Sequence, residues 1–376
     1  MQQPSPGAPD NASNFDGLRL VAALIVIFGH EFSIRGIEQP MLLGSHVASL
    51  GVKIFFAVSG YLVAQSLERD PDAGRFLLRR GLRILPGMFV CVLATVLVLG
   101  PLFSELSLAD YARAPGTWAY LWNLGFGFVE FMPRLFAGNP LPTAVNGSLW
   151  SLPAEAAMYL LLLLAALTAR AEPKRWRLVM ALMFAAAVGD IYVFGVMGWD
   201  EVLVYGTRLT AFCVVASFFC AGSLLWLARG DLPLRLDYAA AALLASILAQ
   251  GTLAFPIVEP LALTYAALAV CVRRAPVLSR AAQHGDFSYG LYLYAYPVQQ
   301  AVQHSFGAAL SFPAALALSL AVTAACAAFS WHCVEKQFLR FKPVRPSAAS
   351  APAAGARPAP AAPSRRAAPA QNAAAR

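Results

Sequence analysis

Charge is what this sequence has little of. Only 13% of its 376 residues are charged, whereas 59% are hydrophobic and the mean hydropathy is +0.61. The length alone would suggest two or three soluble domains, but so low a charge content argues against water-soluble domains. The composition instead predicts an all-α protein, a bundle of helices that crosses a membrane many times.

Signals for several kinds of reactive site are also absent. The six cysteines form no Cys-x-x-Cys motif, and the spacing of Cys213 and Cys220 is not that of a zinc site. The histidines show no metal-ligand spacing with one another, and no Gly-x-Ser-x-Gly elbow surrounds Ser59. We therefore predict no metal site, and we interpret Ser59-Gly60 mainly as a point of close helix packing.

The net charge of +8 comes from Lys and Arg residues in short runs between apolar segments. This distribution follows the positive-inside rule and argues against a nucleic-acid partner. Because the basic runs follow every second apolar segment, we predict ten transmembrane helices with both chain ends in the cytoplasm. The predicted helices cover about residues 17–35, 47–67, 82–103, 148–168, 178–197, 203–228, 237–252, 256–272, 287–305 and 312–334.

Three regions follow from this organisation. Residues 1–13 are polar and lack the basic start of a signal peptide, so we predict a disordered cytoplasmic N-terminus before a retained first helix. Residues 14–343 form the predicted membrane domain, in which 104–147 is the longest external segment and Pro86 occupies the first turn of the third helix. Residues 344–376 are an Ala-, Pro- and Arg-rich tail, predicted to be disordered and cytoplasmic.

The first predicted helix carries a histidine and a glutamate in its outer half, where ionisable groups are costly and indicate function. Arg19 precedes His30 by eleven residues, so the two side chains share one face and lie about 16 Å apart along the axis. From the residues alone, His30 and Glu31 are equally a functional pair or a structural pair inside the bundle. Glu31 points about 100° away from His30, so it orients the imidazole, binds an acceptor or pairs with Lys53.

Two further groups of charged residues have open interpretations. Arg79, Arg80 and Arg83 project together from one helix face, and they either anchor the helix at lipid headgroups or bind phosphates. Glu155 lies one to two turns inside the fourth predicted helix. It either pairs with Lys53 or an arginine, or it binds hydroxyl groups.

Five stretches resemble the membrane acyltransferase family 3 and occur in that family's order over about residues 14–340. They are Asp16-Gly17-Leu18-Arg19 followed by ten residues and His30; Ile54-Phe55-Phe56-Ala57-Val58-Ser59-Gly60-Tyr61-Leu62; Arg79-Arg80-Gly81-Leu82-Arg83-Ile84-Leu85-Pro86; Gly147-Ser148-Leu149-Trp150-Ser151-Leu152-Pro153-Ala154-Glu155; and Phe287-Ser288-Tyr289-Gly290-Leu291-Tyr292-Leu293-Tyr294-Ala295-Tyr296-Pro297. Many members have a histidine where this chain has Ala295, so no role is carried over to that position.

The resemblance implies an integral membrane O-acyltransferase. His30, supported by Glu31, would act as the general base that removes the proton of an acceptor hydroxyl as it attacks a thioester. The implied donor-binding residues are Arg19, Arg79, Arg80 and Arg83, and the implied substrate-binding or supporting residues are Asp16, Lys53, Ser59, Trp150, Glu155 and Tyr292.

The resemblance also implies the substrates and the location. The donor would be cytoplasmic acyl-CoA, expected to be acetyl-CoA, and no metal would be needed. The acceptor would be an extracytoplasmic or lipid-linked glycan, such as an exopolysaccharide or lipopolysaccharide, at a bacterial inner membrane. The alternative from another class is a transporter or flippase for a lipid-linked glycan, but the sequence lacks the two matching half-repeats that many transporters show.

Overall fold

The structure is a computed structural model that describes residues 11–169, 172–199, 202–272 and 285–343. These residues are mainly helical, which confirms the predicted all-α class. The described α-helices of five or more residues are α1 (Asn11–Ile34), α2 (Val47–Arg69), α3 (Ala73–Ala94), α4 (Leu108–Arg113), α5 (Pro115–Ala119), α6 (Ser151–Thr168), α7 (Pro173–Asp190), α8 (Leu209–Leu227), α9 (Leu236–Ala249), α10 (Phe255–Cys271), α11 (Ser288–Phe306) and α12 (Phe312–Ser330).

Seven of the described helical segments are long and apolar enough to cross a membrane. Three of them continue through a π-helical stretch, at Thr95–Leu99 after α3, Ile191–Val196 after α7 and Trp331–Glu335 after α12. The seven segments are Asn14–Ile34, Val47–Arg69, Ala73–Phe103, Gly147–Thr168, Pro173–Val196, Leu209–Leu227 and Phe312–Leu339. The apolar helices α9 and α10 are shorter, and the count of ten spans stays a prediction.

Helix α2 lies at the centre of the bundle and packs against α1, α6, α8 and α10. Its contact with α8 is close because glycines face backbone on both sides. A Cβ added at Gly60 would lie 2.0 Å from the carbonyl oxygen of Phe219, and one at Gly222 would lie 2.1 Å from that of Ala57. The predicted close packing at Ser59-Gly60 is therefore confirmed for the glycine.

Several helices begin earlier than predicted, and two of them have a clear structural reason. Helix α1 starts at Asn11, inside the segment predicted to be disordered, and the bond from Asn14 Nδ2 to the Cys271 carbonyl (3.0 Å) ties its first turns to the end of α10. Helix α3 starts at Ala73 because the Asp72 carboxylate caps it, accepting a hydrogen bond from a backbone N–H two residues into the helix at 2.7 Å. Pro86 therefore lies in the interior of α3, and its predicted place in a first turn is wrong.

Two short β-hairpins precede α2 and α8. Strands β1 (Met41–Leu42) and β2 (Ser45–His46) pair antiparallel, as do β3 (Leu203–Val204) and β4 (Thr207–Arg208). The two turns between these strands have positive φ at both central residues, +54° and +82° in the first and +50° and +79° in the second, as type I′ hairpins require. The sixth predicted helix corresponds to α8 and begins after β4, so its predicted start at residue 203 is wrong.

Candidate active site

A cavity of about 330 Å³ lies at the end of the bundle where α1 and α3 carry their basic residues. It brings together all four arginines predicted to bind a donor and three of the predicted supporting residues. The charged and hydroxyl-bearing residues of its lining are Asp16, Arg19, Ser59, Arg79, Arg80, Arg83, Glu155, Tyr159, Asp286, Tyr289 and Lys342. The cavity is therefore strongly polar and contains more cations than anions.

Asp286 joins two of these arginines. Its carboxylate accepts a hydrogen bond from Arg19 Nη1 at 2.9 Å and forms a second, shorter ion pair with Arg83. Burial tends to raise the pKa of Asp286, but the charges of Arg19 and Arg83 and the hydrogen bonds from Ser288 outweigh it and lower the pKa to about 2. The carboxylate is thus ionised at neutral pH and shares one negative charge between two guanidinium groups.

Arg79 and Arg80 differ in how far they are neutralised. Arg79 donates to Asp70 at 2.6 Å, and hydrogen bonds from Arg75 and Arg79 hold the pKa of Asp70 well below its usual range. Arg80 forms no ion pair within the described part of the chain; it donates to a serine hydroxyl at 3.4 Å and lies 5.7 Å from the centre of the Tyr159 ring. Arg80 is therefore the more available cation for a ligand.

Lys342 lies at the same cavity, after the last described helical turn. Burial, followed by repulsion from Arg83 and Arg80, lowers the pKa of Lys342. No carboxylate of residues 11–343 that the structure describes lies within ion-pair distance of it. Cations held together in this way favour a ligand with several negative charges, and guanidinium groups are well suited to phosphate oxygens.

Two hydroxyls and one carboxylate form the inner end of the cavity. Glu155 on α6 accepts a short hydrogen bond from the Tyr159 hydroxyl and a longer one, 3.4 Å, from Ser59 Oγ. Ser59 Oγ also lies 3.3 Å from the Tyr159 hydroxyl oxygen. Of the alternatives for Glu155, pairing with Lys53 is wrong, because Lys53 is paired with Glu259 and the hydrogen-bond donors to Glu155 are these hydroxyls.

A narrow chamber of about 40 Å³ continues from this end of the cavity along α2 and shares Arg19, Ser59 and Glu155 with it. Ser151 and Tyr292 line the chamber as well. The Tyr292 hydroxyl lies 2.6 Å from Ser151 Oγ and donates to the carbonyl oxygen of Ser148 at 2.9 Å. Tyr292 is thus fixed between α11 and the start of α6, where the chamber is narrow.

His30 and Glu31 face different neighbours. The half-buried His30 ring lies edge-on against Tyr296, with ring centroids 5.0 Å apart, and its Nδ1 has no hydrogen-bond partner among the described residues. Glu31 is buried and accepts a hydrogen bond from Gln299 Nε2 at 2.8 Å, so in this structure it orients α11 rather than the imidazole. Arg19 contacts Asp286, two residues before α11, and His30 contacts α11 itself, so both side chains lie on the side of α1 that faces this region.

Lys53 and Trp150 lie away from the basic cavity. Lys53 Nζ is buried in an ion pair with Glu259 at 2.6 Å and also donates to Ser45 Oγ at 2.6 Å. The predicted alternatives in which Lys53 pairs with Glu31 are therefore wrong. Lys53 and Trp150 line a separate cavity of about 320 Å³ beside the first hairpin.

Sequence reasoning missed several residues of the site. Asp286 immediately precedes the Phe287-Ser288-Tyr289 stretch, but nothing in its neighbourhood indicates partners more than two hundred residues away. Tyr159 follows Glu155 by one helical turn, and that spacing was a usable signal. Gln299 lies on α11 three residues after Tyr296, and only the packing of α11 against α1 shows its bond to Glu31.

The chain is similar to known acyltransferases over most of its length. A family model described as an acyltransferase domain matches residues 13–331. An O-acetyl transferase of Shigella phage Sf6 is 26% identical over 336 residues, which are 86% of this chain and 95% of the phage protein. No solved structure matches the chain.

Two other relatives are matched over a smaller part of their length. Nodulation protein 10 of Rhizobium leguminosarum is 34% identical over 162 residues, which are 40% of this chain and 43% of that protein. The peptidoglycan O-acetyltransferase OatA of Listeria monocytogenes is 27% identical over 224 residues, 57% of this chain and 34% of that protein. The chain thus corresponds to nearly the whole phage protein and to less than half of the other two.

Proposed function

The chain belongs to this acyltransferase family, and from that premise we propose that it transfers an acetyl group from cytoplasmic acetyl-CoA to a glycan hydroxyl outside the bacterial inner membrane. The family and the seven apolar helices make it a membrane O-acyltransferase. The relative from Listeria is named a peptidoglycan O-acetyltransferase, which supports a glycan acceptor here. Relatives named as O-acetyltransferases also favour an enzyme over the transporter or flippase alternative.

The observation that carries this proposal is the basic cavity with the cluster of Ser59, Glu155 and Tyr159 at its inner end. Arg80 and Lys342 would hold the phosphates of acetyl-CoA, because neither has a carboxylate within ion-pair distance among the described residues, and Arg83 would assist them although it pairs with Asp286 and lies 3.8 Å from Glu335. Arg19 would contact the donor nearer its thioester. Arg79 is held by Asp70 and would contribute mainly by fixing the first turns of α3.

Charge distribution supports a cytoplasmic position for the cavity. Arg229, after α8, pairs with Glu68 at the end of α2, and Arg177 near the start of α7 pairs with Asp231. These basic ends lie on the side of the bundle where α2 ends and α3 begins, as the positive-inside rule requires for the cytoplasmic side. Asp16 and Lys342 line the same cavity, so α1 begins and the last described helix ends on that side of the bundle. This arrangement is consistent with two cytoplasmic termini.

In the proposed reaction the acceptor oxygen forms a bond to the acetyl carbon while the bond from that carbon to the CoA sulfur breaks. His30 accepts the proton of the attacking hydroxyl, and the proton passes to the thiolate to give free CoA. The thioester would approach along the narrow chamber, past Tyr292, toward His30. Glu31 would support this site indirectly, because its bond to Gln299 holds α1 against α11.

Sealed membrane vesicles of defined orientation test the proposal. Radiolabelled acetyl-CoA should label an envelope glycan fraction in inside-out vesicles, which expose the cytoplasmic face, and not in sealed right-side-out vesicles. Permeabilising the right-side-out vesicles should restore labelling. Vesicles without this protein supply the background. Labelling in sealed right-side-out vesicles would contradict a cytoplasmic donor site, and no labelling of any glycan in permeabilised vesicles would contradict the proposed reaction.

A further inference from the structure

Glu130, in the external segment before α6, lies close to the aromatic neighbour of His30. A Cβ added at Gly147 would lie 3.0 Å from Tyr296 Cε2 and 3.1 Å from Glu130 Oε1, so the carboxylate and the ring approach the same point. The Tyr296 ring also contacts His30, with ring centroids 5.0 Å apart, and it packs in an apolar cluster with Ile34 and Ala144. We refer to His30, Tyr296 and Glu130 as the outer cluster.

The backbone around Glu130 is held in place by hydrogen bonds. The Glu130 carbonyl accepts from Val145 N at 2.9 Å, and Phe131 forms an antiparallel bridge with Ala144. The preceding residue, Val129, exchanges two hydrogen bonds with the Asn123 side chain, at 2.9 and 3.1 Å. The carboxylate is therefore carried by a well-supported strand-like segment rather than by a free loop.

The Glu130 side chain itself is half-buried and has no hydrogen-bond or ion-pair partner among the described residues. Burial raises the pKa of Glu130. A carboxylate accepts hydrogen bonds and cannot donate them, so a ligand of this group must bring donors. Sugar hydroxyls provide such donors.

We infer that Glu130 positions the acceptor by accepting a hydrogen bond from a sugar hydroxyl next to the one that His30 deprotonates. This inference rests on the proposed function and adds the outer half of its site. Glu130 is a positioning residue for the acceptor sugar and takes no part in binding acetyl-CoA. Gly147 belongs to the same arrangement, since any side chain there would occupy the space between Tyr296 and Glu130.

Steady-state kinetics of the purified full-length protein in detergent test this role. The probes are radiolabelled acetyl-CoA and the envelope glycan fraction that wild-type vesicles label. Glu130→Gln keeps the shape and removes the charge, so it should raise the KM for the glycan at least about tenfold, the loss expected for a hydrogen bond to a charged acceptor. The kcat and the KM for acetyl-CoA should stay within about twofold, because the contact is made equally in the ground and transition states.

Three further variants make the result specific. Glu130→Asp keeps the charge and should restore part of the glycan affinity, whereas Gly147→Ala should raise the KM for the glycan as Glu130→Gln does. Glu105→Gln is the matched control, because Glu105 lies in the same external segment but is exposed and paired with Arg134 at 3.1 Å. It should behave as the wild type.

The outcomes separate this inference from the function on which it rests. If the wild-type protein labels a glycan and Glu130→Gln leaves the glycan KM unchanged, the role of Glu130 is wrong and the reaction stands. An equal rise in the KM for acetyl-CoA would also overturn it, because a general structural effect would then explain the loss. If the wild type labels no glycan, both proposals are overturned together.

Discussion

Arg19 and Asp286 lie 2.9 Å apart although 267 positions separate them in the sequence. Their ion pair joins the first helix to the segment just before α11, which begins at Ser288, and Arg83 brings α3 to the same carboxylate. The geometry of the basic cavity and the packing of three helices thus depend on one acidic residue. Removing that residue should lower the stability of the protein and increase the stabilisation that acetyl-CoA gives.

We expect Asp286→Asn to destabilise the protein. It leaves Arg19 and Arg83 facing each other in a partly buried site, and breaking such a pair typically costs about 3–5 kcal/mol. Thermal unfolding in detergent should show a melting temperature several degrees lower. Acetyl-CoA should raise the melting temperature of the variant more than that of the wild type, because its phosphates would replace the lost negative charge. Asp231→Asn is the control, because that carboxylate is 67% exposed and its pair with Arg177 contributes little.

The same carboxylate gives a pH dependence. Its folded pKa of about 2 lies below the ordinary value of 3.8, so its stabilisation is complete above about pH 4 and is lost as the pH falls toward 2. The wild type should therefore lose stability relative to Asp286→Asn across that window. A variant as stable as the wild type at neutral pH would contradict this account of the site.

Replacing both Arg80 and Arg83 by Gln should raise the KM for acetyl-CoA, because two donors to phosphate oxygens are lost. We expect the KM to rise at least about tenfold. The Arg80 substitution should change the amount of inserted protein little, because Arg80 has no ion pair among the described residues. Arg177→Gln removes a cation on the same proposed membrane side but outside the cavity, and it should leave the KM unchanged. An unchanged KM in well-inserted double variant would show that these arginines only anchor α3.

Lys53 is expected to stabilise the fold rather than bind substrate. Lys53→Met leaves Glu259 buried without its partner, so the yield of folded protein should fall sharply, with a cost of about 3–5 kcal/mol. Adding Glu259→Leu should restore much of it, because replacing a whole buried pair by apolar residues is often neutral. The measurements are melting temperature and acyl transfer per folded molecule. A double variant that is stable but inactive would instead place Lys53 in substrate binding.

The sequence was sufficient for features that depend on local spacing. The separation of eleven positions between Arg19 and His30 predicts that both lie on one face, and the basic run predicts that Arg80 and Arg83 lie together. What it did not reveal were the pairings between distant helices, such as Lys53 with Glu259 and Glu31 with Gln299. Hydrophobic periodicity fixes where a helix lies, but not which polar side chains of two packed helices meet.

Boundaries were missed for a different reason. The arginine-rich start of α3 looks like a connection on hydropathy alone, yet the cap from Asp72 and the pairing with Asp70 make it helical. The second hairpin, residues 203–208, begins with apolar residues, so hydropathy alone does not separate it from the helix that follows it. Glu130 carried no signal at all, because its neighbours Tyr296 and Gly147 are brought to it only by the folding of the external segment.

The decisive variant is His30→Ala. A general base typically contributes about 10²–10⁴-fold to the rate, so kcat should fall at least about a hundredfold. Binding of acetyl-CoA should stay near normal, because His30 is not among the residues that line the basic cavity. His30→Asn should fail as well, since an amide hydrogen-bonds but does not accept the proton.

Arg19→Ala is the matched comparison because it changes the same face of the same helix about three turns nearer the cavity. It should weaken donor binding before it slows the chemical step, and it should also loosen the contact with Asp286. Equilibrium binding of labelled acetyl-CoA and single-turnover transfer, measured on the same preparations, separate the two effects. His30→Ala should bind the donor without turning over, whereas Arg19→Ala should bind it poorly. If His30→Ala kept more than about a tenth of wild-type turnover, which is a smaller loss than removal of a general base causes, the base would have to be sought elsewhere, first at Glu155.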